Sequence, residues 1–385
     1  MALTATRLKR DVLSILRKQG YSTRLGTFTL KQDDREAKKD AHRFAKAERL
    51  VRHRDFVERN APLIKEHFIN GRKLEVEKIK PRLIEVQTGT KWETIFRWWN
   101  LTWWSLPYEQ SYGRQMRFVV WDEYHKSPIG LIGLQSPILS WSVRDEHLGI
   151  PAEERDFWVN QSLSAQRLGA LPPYNYILGG KLVASLMTSE VVRKKFADKY
   201  RGKKTLLKNR ELPARLLFLT TTGAYGKSPV YSRLKFNEQE VARFIGYTRG
   251  TGSFHIPNAL YEDLVAFLEQ KGYEVGRGFG NGPSRKMRLI LQALDLLGFP
   301  NGTSHGIERA VYLFPLASNV KDVIQKNARP KWHRRSVDEL AEFWKEKWAK
   351  PRAEKDSTYR TIDTTRLVEN AISDLERCEE LAKNI

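Results

Sequence analysis

From Ser162 to Thr221 the chain runs strand, glycine-containing loop, helix, apolar strand, and that order constrains the fold more than any other feature of the sequence. Residues 162–171 read as a strand ending at Pro172-Pro173. The loop Tyr174-Asn175-Tyr176-Ile177-Leu178-Gly179-Gly180-Lys181 follows. A helix is predicted from about residue 180 to 199, with Leu182, Leu186 and Phe196 on its apolar side. Residues 212–221, LPARLLFLTT, are nearly continuously apolar, as expected of a buried strand. Upstream, residues 113–122 alternate, with Met116, Phe118 and Val120 on one face and Val119 and Trp121 on the other. A polar turn at 123–127 leads to a second strand at 128–134, so this pair reads as a hairpin. Strands are also expected at 82–86, 138–143, 244–252 (closing in a turn) and 311–316. Helices are expected at 152–160, 257–271 and 285–297, with a glycine-containing loop at 276–283. The fold class is mixed α/β.

Three regions follow: a basic helical segment at 1–80, a core at 81–320 and a helical carboxy-terminal segment at 321–385. In the first, residues 33–59 read as one long helix with a thin apolar stripe of Phe44, Ala47 and Val51. Arg43, Lys46, Arg49, Arg52 and Arg54 occupy its other faces. Pro62 fits the first turn of a second, short helix that Asn70-Gly71 would end. In the last region Trp332, Trp344 and Trp348 supply anchors. Trp98, Trp99, Trp103 and Trp104 fall within seven positions beside Pro107 and read as a packed corner rather than a base-stacking platform.

Charge narrows the partners. The chain has 67 Lys and Arg against 45 Asp and Glu, a formal net charge of +22. Such an excess attracts polyanions and says nothing about fold. No apolar run reaches the roughly 18 residues needed to span a bilayer. Nucleic acid, DNA ahead of RNA, is therefore the expected partner, and membrane is not. Candidate phosphate contacts are the five cations of the helical arm, then Lys203, Lys204, Lys208 and Arg210 in a basic loop, and Arg249. Cys378 is the only cysteine, so no intrachain disulfide and no cysteine-based zinc site can form. The cytoplasm is the natural compartment.

The loop 174–181 has chemistry of its own. A glycine turn that opens a helix presents free N–H groups at the positive end of the helix dipole, a setting for phosphate or pyrophosphate. Tyr174, Asn175, Gly179, Gly180 and Lys181 are the candidate cofactor contacts. The order of units around it, at about residues 113–256, resembles the GNAT acyltransferase fold, whose turn binds the pyrophosphate of acyl-coenzyme A. Of that fold's usual loop pattern, the middle glycine is matched here. The stretch Val230-Tyr231-Ser232-Arg233-Leu234-Lys235-Phe236 is similar to the one that places a tyrosine by the thioester. The resemblance implies that Tyr231 would protonate the leaving thiolate. A third reading is a metal-dependent nuclease built on Asp122, Asp145 and Asp156. Their ordinary role is as turn and cap residues. Arg144-Asp145, just after a strand, would form either a fixed ion pair or a presented base.

Several blocks taken together resemble the DruA-like family. They are Gly113 to Phe118, Ile132-Gly133 with Ser136, Arg144-Asp145 with Leu148-Gly149, Ala170 to Tyr174, Gly226 to Tyr231, and Gly246 to Gly252. The resemblance implies a component of the Druantia anti-phage system that works with other proteins of that system. It supplies no catalytic assignment.

Overall fold

The computed structural model describes residues 4–383, apart from 25, 33–34, 105, 107–112, 206–207, 251–254, 277–284 and 303. The expected loop at 276–283 and the turn at 251–252 fall largely outside the described residues.

The centre is a seven-stranded mixed sheet. Its strands are β1 (Pro81–Glu85), β2 (Gln115–Asp122), β3 (Ser127–Gln135), β4 (Ser162–Ala170), β5 (Phe218–Thr222), β6 (Arg243–Tyr247) and β7 (Ala310–Pro315). They lie side by side in the order β6-β7-β5-β4-β3-β2-β1. Every pairing is antiparallel except β4 with β5, which run parallel over Ser162–Ser164 and Phe218–Thr220. The parallel step has a direct cause: between these strands the chain crosses over through two helices.

The expected alternation of β2 is what layers the molecule. Met116, Phe118 and Val120 enter one hydrophobic cluster, while Val119 and Trp121 enter another on the opposite face. Helices enter in chain order. α1 (Ala5–Lys18) packs with a two-stranded hairpin (Tyr21–Arg24 with Thr27–Leu30). α2 (Arg35–Arg52), α3 (Arg54–Glu66) and α4 (Lys91–Thr102) lie against the Val119 face or its surroundings. α5 (Ser142–Leu148) and α6 (Arg155–Val159) follow β3. α7 (Gly179–Leu186) and α8 (Glu190–Tyr200) cover the Met116 face. α9 (Asn258–Gln270) and α10 (Arg285–Leu296) share a separate core with α1, through Leu8, Val12, Leu264, Phe267 and Leu294. α11 (Val320–Lys326) packs on α5. α12 (Val337–Trp344) leads through a wide turn into α13 (Lys350–Lys355), and α14 (Thr364–Lys383) lies along α2 and α3. Among the described residues no helix is long and apolar enough to cross a membrane.

Four expectations are corrected. The long helix at 33–59 is broken at His53, where α2 ends and α3 begins. Pro62 lies inside α3 rather than in its first turn. Residues 138–143 form no strand: Ile138 is 68% exposed, and the carbonyls of Ile138 and Leu139 accept hydrogen bonds from Arg144 at 2.7 Å each. The helix at 180–199 is two helices, separated at residues 187–189.

Of the tryptophan corner, Trp98 and Trp99 are buried and Trp104 packs against the same cluster, whereas Trp103 is 36% exposed and Pro107 lies outside the described residues. Trp98 is fully buried on α4, donates from Nε1 to the Val57 carbonyl at 3.0 Å, and meets Trp99 edge to face at 4.9 Å. Deleting so large a buried ring leaves a cavity and removes the indole donor from the Val57 carbonyl. Trp98→Ala is therefore expected to destabilise the chain by about 3–5 kcal/mol, read as a lowered urea midpoint with little change in slope.

Candidate nucleic-acid interface

The sequence-selected loop is built as expected but is covered. After the cis Pro172-Pro173 bond a short turn (Tyr174–Ile177) leads through Leu178, in a left-handed conformation, into α7. Gly179 is needed for close packing: a Cβ there would stand 2.6 Å from the Tyr174 carbonyl oxygen. Tyr174 does not face a ligand. It is fully buried, and its hydroxyl donates to Asp122 Oδ2 at 3.0 Å. Asn175 Oδ1 is buried with no hydrogen-bond partner. The carboxy-terminal region lies over the helix start. Trp344 Nε1 donates to the Leu178 carbonyl at 3.0 Å, and the Trp348 ring sits 5.1 Å from Lys181 Nζ. Gly180 faces Val230, and Lys181 Nζ donates to the Val230 carbonyl at 3.3 Å. Burial first, then the nearby Arg233 cation, lowers the Lys181 pKa.

Tyr231 sits in the opening where β4 and β5 part. It is 8% exposed, its hydroxyl points to the Leu168 carbonyl at 3.4 Å, and its ring meets Tyr312 and Phe314 edge to face. Burial raises its pKa well above the ordinary tyrosine value. Tyr231 is thus a core residue in this structure, and the segment that carries it occupies the ground next to the loop.

The three aspartates have separate employment. Asp122 is fully buried at the β2–β3 turn. Its Oδ1 accepts from the backbone N–H groups of Lys80 and Tyr124 at 3.0 and 3.1 Å. Its Oδ2 lies 2.6 Å from His125 Nδ1. The other ring nitrogen of His125 accepts from the Glu75 N–H at 3.1 Å, which assigns the proton to Nδ1. Asp145 is the fixed ion pair and not the presented base. It holds Arg144 at 2.6 Å and Arg155 at 3.0 Å and caps the Trp141 N–H. Asp156 pairs with Lys208 at 3.2 Å and with Arg210. Among the described residues no three His, Cys, Asp or Glu side chains come together as a metal would require.

The sequence-selected cations divide. Arg52 pairs with Glu48, Arg54 with Glu58 and Glu379, and Lys208 and Arg210 with Asp156. The Lys46 pKa is lowered, chiefly by burial. Arg49 is half-buried on α2, and Lys204 sits in a short bridge to Glu211. Arg43, Lys203 and Arg249 are exposed, and no ion pair to any of them is found among the described residues. The arm is therefore not a solvated helix. α2 and α3 are packed on α14, and much of the arm's charge is neutralised there.

A different surface emerges at the edge strand β6. Phe244 is 44% exposed and Tyr247 is 40% exposed, unusually open for rings within a strand. They touch edge to face at 5.1 Å. Positions three apart on a regular strand point to opposite faces. Here a register shift against β7 between Phe244 and Gly246 brings both rings to one side. Lys227 Nζ lies 5.2 Å from the Phe244 ring centroid, and Arg243, paired with Glu240 at 3.5 Å, and Arg249 stand exposed at the two ends. Of this set, sequence reasoning selected Arg249 alone. The signal that could have found it is the run Arg243-Phe244-Ile245-Gly246-Tyr247-Thr248-Arg249, in which cations bracket two aromatics around a glycine.

Behind this edge lies a buried polar cluster. Arg309, just before β7, reaches His42 of α2 at 3.3 Å. Burial, then Arg309, lowers the His42 and His305 pKa values to about 4. His305 and His255 add to the effect at His42.

The molecule is thus a mixed α/β protein whose open sheet edge carries two exposed rings among cations. Comparison with known proteins places it further: the model of the family described as Druantia protein DruA matches residues 32–326. A curated Druantia protein DruA from Escherichia coli (strain UMEA 4076-1) is 34% identical over 364 residues, covering 93% of this chain and 90% of that protein. The chain belongs to the DruA family. No solved structure matches it.

The histidine cluster makes stability pH-dependent. His42 and His305 are held neutral in the fold down to about pH 4, whereas in the unfolded chain they take up protons near 6.5. Protons therefore favour the unfolded chain between these values. Stability should be full above about pH 6.5 and fall progressively toward pH 4. Melting curves across this range should show a shallower fall in His42→Gln than in the parent chain.

Proposed function

We propose that this chain is the nucleic-acid-binding component of a Druantia anti-phage defence system, taking DNA in preference to RNA and acting with other proteins of that system. Family membership supports the defence role and the protein partners. The observation that carries the binding reading is the pair Phe244 and Tyr247, held side by side in the open and bracketed by Lys227, Arg243 and Arg249. Cations alone would account for a protected sheet edge, since charged side chains on an edge strand deter pairing with other chains. Exposed rings do not serve that purpose. They offer flat surfaces on which successive bases stack, while the cations follow the backbone. Arg43 and Lys203 add to the net charge of +22 that draws a polyanion to the surface.

A second reading, a GNAT-like acyltransferase acting on nucleic acid or on a partner protein, draws support from the parting of β4 and β5 beside the glycine loop at α7. In that reading Gly179, Gly180 and Lys181 would meet acyl-coenzyme A, and Tyr231 would serve the thioester. It requires the segment around Val230 and Tyr231 to move from where it now packs. The nuclease reading has less support, because Asp122 and Asp145 are occupied by backbone and arginine partners.

Fluorescence anisotropy with labelled single-stranded DNA, duplex DNA and single-stranded RNA tests the proposal. Binding to single-stranded DNA at low salt should weaken steeply as salt rises. Phe244→Ala or Tyr247→Ala should each cost about 1–3 kcal/mol of affinity. Arg249→Ala should lower the salt slope by about one. A parent chain that binds none of the three at low salt would sink the proposal.

A further inference from the structure

Beyond the edge strand, the structure assigns a separate site for a phosphate-bearing ligand of mononucleotide size, in a concavity of about 310 Å³ lined by Phe236, Asn237, Gln239, Trp332, His333 and Arg335. Arg335 is 1% exposed, and a guanidinium does not give up its proton under ordinary conditions, so a full positive charge is buried here. Buried charges are costly unless paired. Arg144, equally buried, has its carboxylate in Asp145. Arg335 has none among the described residues. The one hydrogen bond its guanidinium makes there runs from Nη1 to Thr188 Oγ1 at 3.1 Å, and its Nε and Nη2 are buried without a partner.

The surroundings repeat the deficit. Ser189 Oγ and Arg193 Nε are also buried and unpartnered. Neither lines the concavity, but the chain at Glu190 donates its N–H to the Arg335 carbonyl at 3.0 Å and the Arg193 guanidinium lies 4.7 Å from the ring centroid of Trp332, which does. The charged neighbour acting on Arg335 is another cation, Arg243, and burial together with it pulls the Arg335 pKa down to about 10. Burial first, then Arg335 and Arg243, lowers the His333 pKa to about 4. This is a group of guanidinium donors with no anionic acceptor among the described residues, beside an open concavity. A phosphate monoester supplies several strong acceptor oxygens and the missing negative charge, and guanidinium donors match its geometry. Trp332 and Phe236 give the same concavity an apolar wall, which suits the ring system of a nucleotide.

The helix that follows does not explain the site. The start of α12 is already satisfied by its own capping box between Ser336 and Glu339. The site does not depend on the edge-strand reading either, although Arg243 stands between the two.

The experiment uses the full chain. Its thermal midpoint should rise with millimolar adenosine 5′-monophosphate, more than with adenosine or inorganic phosphate, since a ligand bound only to the folded state stabilises it. Arg335→Gln should abolish that rise. Should Arg335→Gln fail to fold, Trp332→Leu at the pocket wall should reduce the rise several-fold. Oligonucleotides carrying a 5′-phosphate that displace the nucleotide, where 5′-hydroxyl versions do not, would identify a strand end as the source of the phosphate. Failure to displace would identify a free nucleotide. Equal responses to adenosine 5′-monophosphate and adenosine, or an undiminished response in Arg335→Gln, would overturn the assignment. Phe244→Ala should leave the nucleotide response intact, and Arg335→Gln should leave binding of 5′-hydroxyl oligonucleotides intact, so each reading can fail alone.

Discussion

The arrangement of the molecule depends on a parallel contact only three residues long. β4 and β5 pair from Ser162 to Ser164, after which β4 stays with β3 and β5 stays with β7. Strands that part leave backbone groups with no neighbour to bond, and buried groups of that kind must be satisfied another way. The chain does so with its own side chains. The Thr221 hydroxyl donates to the Ala165 carbonyl at 3.0 Å, and further along the Tyr231 hydroxyl points to the Leu168 carbonyl. The insertion that completes the sheet also brings Val230 onto Gly180 and Lys181. Scaffold and covered loop are one feature.

Tertiary structure sorts the cations into classes that net charge cannot separate. Some are neutralised on the surface, as Arg54 is by two glutamates. Arg144 is buried and fully engaged, reaching a carboxylate and two carbonyls. Arg335 is buried without a carboxylate. Lys227 and Arg249 gather at one sheet edge, with Arg243 between them and Glu240. A buried, compensated guanidinium organises a loop and is invisible to a ligand. An exposed one contributes to the field outside the molecule.

Most of the elements were legible in the sequence because their signals are local. The hairpin of β2 and β3 follows from strict alternation and a polar turn. The burial of β5 follows from an unbroken apolar run. One failure has a distant cause and another a local one that periodicity does not register. Nothing between residues 180 and 199 is a helix breaker, yet the helix stops at residues 187–189, because Thr188 and Glu190 are bonded to Arg335 far along the chain. Residues 138–143 have strand-like composition, yet Arg144 folds back on their carbonyls and removes them from any ladder.

The sequence by itself determined the mixed α/β class, the hairpin, the strand–loop–helix–strand order of the crossover, the burial of Trp98 and Trp99 and the excess of positive charge. Periodicity, apolar runs and formal charge are carried by neighbouring residues or by simple addition. Only the tertiary structure decided where that charge is free. It turned Asp145 into an ion-pair partner and Tyr231 into core, and brought Phe244 and Tyr247 to one side of the sheet. The placing of Tyr231 depends on partners distant in sequence and that of the two rings on a register shift, which no local pattern encodes, whereas Asp145 settles between two readings that its neighbour Arg144 had left open.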